Sequence, residues 1–305
     1  MAYAYPPAPP TISGDVETIN RFLQTPNVYA RYLRTVIQQR FIGDVLLSGR
    51  DAPQGGAIVY EVSEGIYTDK AVEAVSPGGE YLITTITTGA VQIAKTVKWG
   101  QDSIVTDEAI SRLLFSPIQR GTLKLSNTLV KQVDTVCLAL IASAVTQTSA
   151  VTASWATIAT ARILYDVLKA KAVILALNQG YSPDTLVVDD LTYAKVVADP
   201  TVVNAARRED SGNPIYTGVE GFPILGGLRV LPTPNLPAAG AWVLDSSMLG
   251  GIANESLGGG YVSAGDGVES KIIREDESDQ YRLRARRVFV PYVQEPASGI
   301  KITGT

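Results

Sequence analysis

The residues best suited to catalysis are two adjacent carboxylates, Asp189 and Asp190, which follow an apolar run at 185–188. Two acids at a strand end can act as general acid and general base in a hydrolase or transferase. Adjacent residues of a strand point to opposite faces, however, and Asp190 is equally suited to capping a helix that begins at Leu191. The pair therefore favours a structural role, and a carboxylate-dependent enzyme is the less favoured alternative.

The sequence lacks the residues that other common catalytic mechanisms require. The sequence has no histidine, which removes the commonest general base and the commonest metal ligand. Its one cysteine, Cys137, lies in an apolar helical stripe and is interpreted as a small buried hydrophobic residue. The glycines at 258–260 lack the Lys and Ser/Thr that follow in a phosphate-binding loop. We therefore expect no catalytic residue, cofactor site or metal site.

Composition indicates a folded protein whose overall charge does not favour binding to polyanions. The sequence has 305 residues, of which 46% are hydrophobic and 18% charged, and its net charge is −4. Any contact with nucleic acid is therefore expected to be local. Residues 1–10 lack the pattern of a secretion signal, and apolar runs such as 137–142 are too short to span a bilayer. These observations predict a cytoplasmic protein without a membrane segment.

A β-ribbon is predicted between residues 57 and 98. It begins with a strand at 57–63, passes a turn at 76–79, and returns through the β-branched run 80–88 towards Trp99. A two-stranded ribbon is only marginally stable in water, and its long edges are prone to aggregate unless another surface covers them. We therefore expect a neighbouring copy of the chain to complete this ribbon.

An uninterrupted amphipathic helix is predicted from Pro117 to about residue 145, at the far side of the ribbon. Its apolar residues recur at helical spacing: Ile118, Leu125, Leu129, Val133, Val136, Leu140 and Ala144. At 1.5 Å rise per residue such a helix is about 40 Å long and crosses an entire domain.

A compact α/β domain is predicted between residues 154 and 263. Its predicted elements are a helix at 155–177, a strand at 185–189, a short helix at 191–198, and strands at 228–231 and 241–245. Two long antiparallel strands, 268–274 and 280–293, are expected to follow it.

The second of these long strands carries arginines at alternating positions, Arg282, Arg284 and Arg286, which a strand places on one face. We expect this face to contact acidic groups, either on the long helix or on a neighbour's ribbon. The candidate acids of the ribbon are Glu61, Glu64, Glu73 and Glu80. Lys70 is a further candidate for contact between subunits, although a solvated lysine is the favoured interpretation.

The order of these pieces resembles the major capsid proteins of tailed bacteriophages, which share the Johnson fold. The stretches most similar to that family are 105–109, 180–189 with 193–195, 226–235 with 242–245, and 282–304. The resemblance implies an α+β fold with five parts: an N-terminal arm at 1–50, an E-loop ribbon at 51–98, a peripheral domain with the spine helix at 99–153, an α/β axial domain at 154–263, and the returning strands of the peripheral domain at 264–305.

This resemblance also implies a function. The chain is expected to self-assemble through pentamers and hexamers into an icosahedral virion capsid around double-stranded DNA, in the cytoplasm of a bacterial host. A separate scaffolding protein, a portal and a decoration protein are the expected partners, and Arg31, Arg34 and Arg40 are expected to contact DNA at the inner surface. The same fold occurs in encapsulin nanocompartments, which remain the alternative. A tail-tube β-protein is disfavoured by the two long helices.

Overall fold

The computed structural model of the chain describes residues 23, 25–37, 41–53, 55–63, 65–85, 88–113, 116–157, 160–200, 202 and 224–305. These residues form two compact units. The first contains the described residues up to Val36 together with Gly100–Ser126 and Gly258–Arg286. The second contains Ile37–Trp99, Asn127–Leu257 and Arg287–Thr305, apart from the gaps given above.

Helices and strands alternate irregularly along the chain, which confirms the predicted α+β class. The helices are α1 (Pro26–Ile37), α2 (Ile42–Leu46), α3 (Asp107–Leu113), α4 (Ser116–Ala144), α5 (Ile163–Ala176) and α6 (Asp190–Ala198). The strands are β1 (Gly49–Asp51), β2 (Ala57–Val62), β3 (Ala90–Lys95), β4 (Val97–Thr106), β5 (Thr148–Ala150), β6 (Thr185–Val188), β7 (Ile224–Leu225), β8 (Leu228–Pro232), β9 (Ala241–Leu244), β10 (Gly250–Asn254), β11 (Val262–Gly265), β12 (Val268–Glu275), β13 (Gln280–Val293) and β14 (Gly299–Thr303).

The core of the first unit lies between helices and the long strands. Strand β13 pairs with β12 and with β4, and β12 pairs with β11. Tyr29 of α1, Ile118 of α4, and Val105 and Leu283 of the strands form one buried apolar cluster. The two predicted antiparallel strands are thus present, at 268–275 and 280–293. A short 3-10 helix, Asp276–Ser278, and the left-handed residue Asp279 (φ 44°) connect them.

The predicted long helix is α4, which has 29 residues. Ile118, Leu125, Leu129 and Val133 are buried as the periodicity predicts. Nearer its C-terminus the buried side passes to Cys137, Leu138 and Ile141, all fully buried. Within the described residues, α4 is also the helix that is long and apolar enough to cross a membrane, and 44% of its most apolar 18-residue window is buried inside the protein. The buried residues named above are the part of its apolar surface that packs inside the protein.

The second unit contains a six-stranded sheet in the order β5-β14-β9-β6-β8-β7. Val167 and Ile174 of α5 pack with the sheet residues Leu186, Val243 and Ile300 in one buried cluster. Strand β14 pairs with both β9 and β5, so the last strand lies inside this sheet. The family resemblance assigns this strand to the peripheral domain, together with the returning strands at 264–305.

The helix predicted from Trp155 begins later, at Ile163. Trp155 is instead buried in the preceding loop, where its indole N–H donates to Asp166 Oδ2 at 3.0 Å. The other oxygen of Asp166 accepts from the backbone N–H and the hydroxyl of Thr152, at 3.0 and 2.7 Å. These tertiary hydrogen bonds hold the loop in place, and the local apolar pattern does not report them.

The ribbon is shorter than predicted. Strands β2 and β3 pair antiparallel from Ala57 with Lys95 to Val62 with Ala90. The described residues at 65–85 contain no regular strand, so the return strand predicted at 80–88 is wrong over that range. The backbone N–H of Ser63 donates to Gln294 O at 2.9 Å, and its φ of 58° is left-handed, which ends β2. The predicted turn at 76–79 is present, since Gly79 N donates to Ser76 O at 2.8 Å.

Candidate assembly surfaces

The ribbon presents an apolar face to solvent. Val59 lies opposite Ile93 and Glu61 lies opposite Val91, so these four side chains share one face of the strand pair. Val59, Val91 and Ile93 are 63%, 60% and 66% exposed. Ile58 and Tyr60, on the opposite face, are partly buried within the second unit.

Residues 65–85, which follow β2, also carry exposed apolar side chains. Their large exposed side chains are Ile66, Tyr67, Val72, Val75, Tyr81, Leu82 and Ile83, and Val72 is 100% exposed. Contiguous exposed apolar surface on a soluble protein commonly marks an interaction site. The candidate residues Lys70, Glu73 and Glu80 are exposed among them, as is Glu61 on β2, while Glu64 lies outside the described residues. The ammonium group of Lys70 donates to the carbonyl oxygen of Ile83 at 3.3 Å.

A cleft of about 580 Å³ lies at the base of the ribbon, entirely within the second unit. Asp51, Glu61 and Glu295 contribute carboxylates to its wall. The rings of Tyr60 and Tyr292 are 5.1 Å apart between centroids and tilted by 41°. The hydroxyl of Tyr292 donates to Asp51, and burial together with this carboxylate raises the pKa of Tyr292. The Tyr60–Tyr292 contact ties the ribbon to β13.

The predicted arginine face is occupied by acids of the same unit. Arg284 binds Asp102 through two hydrogen bonds, from Nε at 2.7 Å and from Nη2 at 2.6 Å. Arg282 pairs with Glu275 and approaches Asp102 at 3.6 Å. The hydrogen bond from Arg284 holds the pKa of Asp102 below its ordinary value. Both arginine side chains remain about one-third exposed, at 33% for Arg282 and 32% for Arg284.

Arg286 is the most enclosed member of this face. Its Nε donates to Glu269 Oε2 at 2.7 Å, and Nη2 donates to the carbonyl oxygen of Gly258 at 2.9 Å. Its guanidinium lies 3.4 Å from the centroid of the Tyr261 ring, within cation–π range. Arg286 is 8% exposed and therefore acts as a core element of the first unit.

Within their own chain, the three arginines pair with acids of strands and not with the long helix. Asp102, Glu275 and Glu269 lie in strands of the same chain, whereas we expected acids of a neighbour's ribbon or of the long helix. Asp102 is separated from Arg284 by 182 positions, so sequence spacing carries no signal for this pair. The exposed acids of the ribbon are not among the partners of these arginines within the chain.

A buried charge cluster in the second unit was not found by sequence reasoning. Arg287, which is 0% exposed, binds Asp44 through two hydrogen bonds of 2.8 and 2.9 Å. Its Nε donates to Asn254 Oδ1 at 3.0 Å. Asp134 of α4 is 1% exposed, and its Oδ1 accepts the backbone N–H of Gly43 at 2.9 Å. The only signal in the sequence was that Asp134 is the one acid of α4.

Burial raises the pKa of Asp134 to about 6, and the nearby Asp44 carboxylate acts in the same direction, against the hydrogen bond from Gly43 and the charge of Arg287. Through the hydrogen bond from Gly43 to Asp134, the cluster connects the short helix α2 to α4. It therefore organises the second unit and does not form an open site.

The adjacent carboxylates at the end of β6 have a structural role. Asp189 is the N-cap of α6, accepting from Thr192 N at 3.2 Å and from Gly240 N at 3.0 Å. Burial opposes its ionisation, but these hydrogen bonds outweigh burial and lower the pKa of Asp189. Helix α6 begins at Asp190, so the cap is one residue earlier than predicted. Within the part of the chain that the structure describes, no group of three metal-ligating side chains comes together.

Two of the arginines expected to contact DNA, Arg31 and Arg34, are exposed on α1. Arg34 packs beside Gly265, where an added Cβ would lie 3.3 Å from Arg34 Nε. Arg40 lies outside the described residues.

Comparison with known proteins agrees with the architecture. The sequence profile of a phage capsid protein family matches residues 89–302, which is most of the chain. The chain therefore belongs to the phage capsid protein family and is a structural protein of a capsid shell. No curated protein matches the sequence.

Solved structures share the fold at low sequence identity. The capsid structure of cyanophage P-SCSP1u superposes with a TM-score of 0.61 at 15% identity, covering 86% of this chain and 87% of that chain. A structure of Microbacterium phage Oxtober96 gives 0.59 at 12% identity, covering 86% and 90%. A virus-like particle from Pyrococcus furiosus gives 0.56 at 11% identity, covering 90% and 99%. The predicted capsid fold is confirmed by these matches.

Proposed function

We propose that this chain assembles through pentamers and hexamers into an icosahedral shell that encloses double-stranded DNA, and that it has no catalytic activity. The observation that carries the proposal is the apolar ribbon surface, where Val59, Ile93 and Val72 are more than half exposed. An exposed apolar surface makes an isolated chain prone to aggregate, and a neighbouring copy of the chain that covers the surface prevents this. Each contact can be weak, because many weak contacts sum to a stable closed shell.

The five-part division belongs to the same proposal. We assign residues 1–50 to the N-terminal arm, 51–98 to the E-loop, 99–153 and 264–305 to the peripheral domain, and 154–263 to the axial domain. The position of β14 in the sheet with β9 supports moving residues 299–303 to the axial domain.

The exposed charges of the ribbon are the proposed contacts with a neighbour. Glu61, Glu73 and Glu80 are exposed, and Lys70 lies among them. Arg282 and Arg284 keep about a third of their side-chain surface exposed and can accept a second carboxylate beside their present partners. Arg286 is nearly buried, so we expect it to stabilise its own subunit instead.

Further partners follow from the proposed role. A separate scaffolding protein would guide closure, a portal would occupy one vertex, and a decoration protein could bind the outer surface. Assembly is placed in the host bacterial cytoplasm, and the mature protein in the virion. The arginines of α1 are assigned to the inner surface.

Replacing residues 66–85 with a short Gly-Ser linker tests the proposal directly. This change keeps the paired strands β2 and β3, so the variant should remain a folded monomer and should no longer form particles by sedimentation and negative-stain microscopy. The double variant Val59→Lys with Ile93→Lys should have the same effect, while Ile93→Val should assemble normally. Particle formation by the deletion variant, or its failure to fold as a monomer, would contradict the proposed role of the ribbon.

An encapsulin-type compartment is the second candidate, because the fold is also that of the virus-like particle from Pyrococcus furiosus. The contents of purified particles distinguish the two. Nuclease-protected double-stranded DNA supports the phage capsid, and a packaged protein without DNA supports the compartment.

A further inference from the structure

Helix α5 of the second unit exposes an apolar face to solvent. Its buried side, which includes Ile163, Val167 and Ile174, packs in the cluster with the sheet. At 100° per residue, six exposed positions lie on the opposite side, within about 120° of one another around the helix axis. Five are apolar and one is charged: Tyr165, Leu168, Ala172, Leu175, Ala176 and the cation Lys169. We call these six residues the α5 outer face.

Such a face is unusual on a helix at the surface of a protein. A surface helix normally carries charged and polar residues opposite its buried stripe, and a helix that is apolar all round is normally buried. Tyr165 is 56% exposed and Leu175 is 49% exposed, so about half of each side chain meets solvent in the isolated chain. The α5 outer face thus has the composition of a surface that another surface covers.

The partner that fits this face best is the ribbon of a second copy of the chain. The chain belongs to a capsid protein family, and a shell is built from contacts between copies. The strand pair of the ribbon carries a face of similar composition, in which three apolar side chains are each more than half exposed. We call this face, formed by Val59, Glu61, Val91 and Ile93, the ribbon outer face.

The two faces carry opposite charges at matching spacings. Glu61 is the one charged residue of the ribbon outer face, and Lys169 is the one charged residue of the α5 outer face. Among the described residues neither side chain forms an ion pair, and the ammonium of Lys169 donates to the carbonyl oxygen of Ala150 at 3.3 Å. Glu61 lies about 7 Å from Val59 along its strand, and Lys169 lies about 6 Å from Tyr165 along its helix. One contact can therefore pair the charges and bury the apolar side chains together.

Contacts between two identical faces fit less well. Two α5 outer faces related by a two-fold axis would bring two copies of Lys169 towards each other, and like charges in an interface oppose binding. Two ribbon outer faces would bring two copies of Glu61 together in the same way. The contact between a helix and a ribbon is the combination that pairs opposite charges.

We propose that the α5 outer face of one subunit binds the ribbon outer face of a neighbouring subunit, with Lys169 paired to Glu61 of that neighbour. This inference rests on the proposed function, because it takes the ribbon to lie on a neighbouring copy, and it names the surface that receives the ribbon. The contact joins two different surfaces, so each subunit gives its ribbon to one neighbour and receives the ribbon of another. Contacts of this head-to-tail kind close into rings.

Exchanging the two charges in the full chain tests the pair. Lys169→Glu and Glu61→Lys should each raise the protein concentration needed for particle formation by about fivefold, because an attraction becomes a repulsion at each contact. The double variant restores opposite charges and should return to within about twofold of the wild type. Lys171→Glu is the matched control, since it makes the same change of charge on another side of α5 and should not rescue Glu61→Lys. Sedimentation over a series of protein concentrations measures assembly, and circular dichroism shows that each variant is folded.

Cysteine cross-linking identifies the partner surface directly. Two single variants, Glu61→Cys and Lys169→Cys, are assembled separately and as an equal mixture, and the particles are then oxidised. Disulfide-linked dimers should appear on a denaturing gel for the mixture, and each variant alone should stay monomeric. The native Cys137 is fully buried and is present in every sample, so the wild type serves as the control for its contribution.

Particles of the mixture that contain no linked dimers would overturn the proposal. So would dimers from Lys169→Cys alone, because α5 would then meet a second α5, and so would a double charge variant that assembles no better than the single variants. Failure of the wild type to form particles would refute the proposed function. In that case the same oxidation, carried out on a concentrated mixture of the unassembled variants, would still decide whether the two faces meet.

Discussion

Arg287 and Asp44 lie 243 positions apart in the sequence and form a two-bond ion pair, with Nη1–Oδ2 at 2.9 Å and Nη2–Oδ1 at 2.8 Å. The guanidinium carbon lies 5.0 Å from the ring centroid of Phe41 and 5.0 Å from that of Phe289. The pair therefore joins α2 to the last part of β13 inside the second unit. Because both ends are enclosed, it depends on both partners being present.

Arg287→Met should destabilise the unassembled protein by about 3 to 5 kcal/mol, because it leaves the Asp44 carboxylate without its buried partner. The free energy of unfolding in urea measures the effect. Arg50→Met is the matched control, since Arg50 approaches the same carboxylate at 3.8 Å but its side chain is 46% exposed. The control should lose less than about 1 kcal/mol. Equal losses for the two variants would show that burial does not strengthen the pair.

Asp134 should make stability depend on pH near 6. Its pKa is raised in the folded protein, so the ionised form is disfavoured there, and the cost of burying its charge is present above about pH 6. That cost decreases as the pH falls from about 6 towards the ordinary value of 3.8. Relative to Asp134→Asn, the wild type should therefore gain stability on acidification, by an amount on the order of 2 kcal/mol between pH 6 and pH 4.5.

Urea unfolding of both proteins at several pH values between 7.5 and 4.5 measures this difference. Asp69→Asn, a change at an exposed acid, serves as the control and should parallel the wild type. A constant difference between wild type and Asp134→Asn across this range would contradict the assigned pKa.

Gly43→Ala should destabilise the second unit by about 1 to 3 kcal/mol, because α2 approaches α4 too closely for a side chain. A Cβ at Gly43 would lie 2.7 Å from Cys137 Cβ and 2.9 Å from Cys137 Sγ. Helix propensity alone favours alanine by up to about 1 kcal/mol, so a net loss of stability identifies the steric clash. Thermal unfolding provides the measurement. Gly65→Ala, where an added Cβ meets nothing within 4 Å, should leave the melting temperature nearly unchanged.

The parts of the fold that sequence predicted well are those with a local period. Helix α4 and strands β12 and β13 appear within one or two residues of their predicted bounds, because the periods of 3.6 and 2 are properties of a single segment. The predicted helix start at Trp155 was wrong because the indole N–H of Trp155 donates to Asp166, which holds Trp155 in a loop. The local apolar pattern does not report this tertiary hydrogen bond. The return strand is present at Ala90–Lys95, but its predicted earlier part at 80–85 was wrong because composition favours a strand without specifying its register.

The candidate surfaces show the same limit. Exposure of Glu61, Lys70, Glu73 and Glu80 agrees with the expected ribbon, whose apolar and polar residues are near in sequence. The acids that meet Arg282 and Arg284 could not be predicted, because those pairs form between strands distant in the chain. Charge patterns along one strand therefore indicate that partners exist and leave their identity open.

Cys137 is the one cysteine of the sequence, and its side chain is fully buried beside Gly43. Burial raises the pKa of its thiol well above the ordinary range, so the reactive thiolate is scarce at neutral pH. Thiol-directed reagents should consequently label the folded native chain very little. A cysteine introduced in place of the fully exposed Val72 would carry a fluorophore selectively, and energy transfer between labelled copies could then report subunit addition in real time without removal of Cys137.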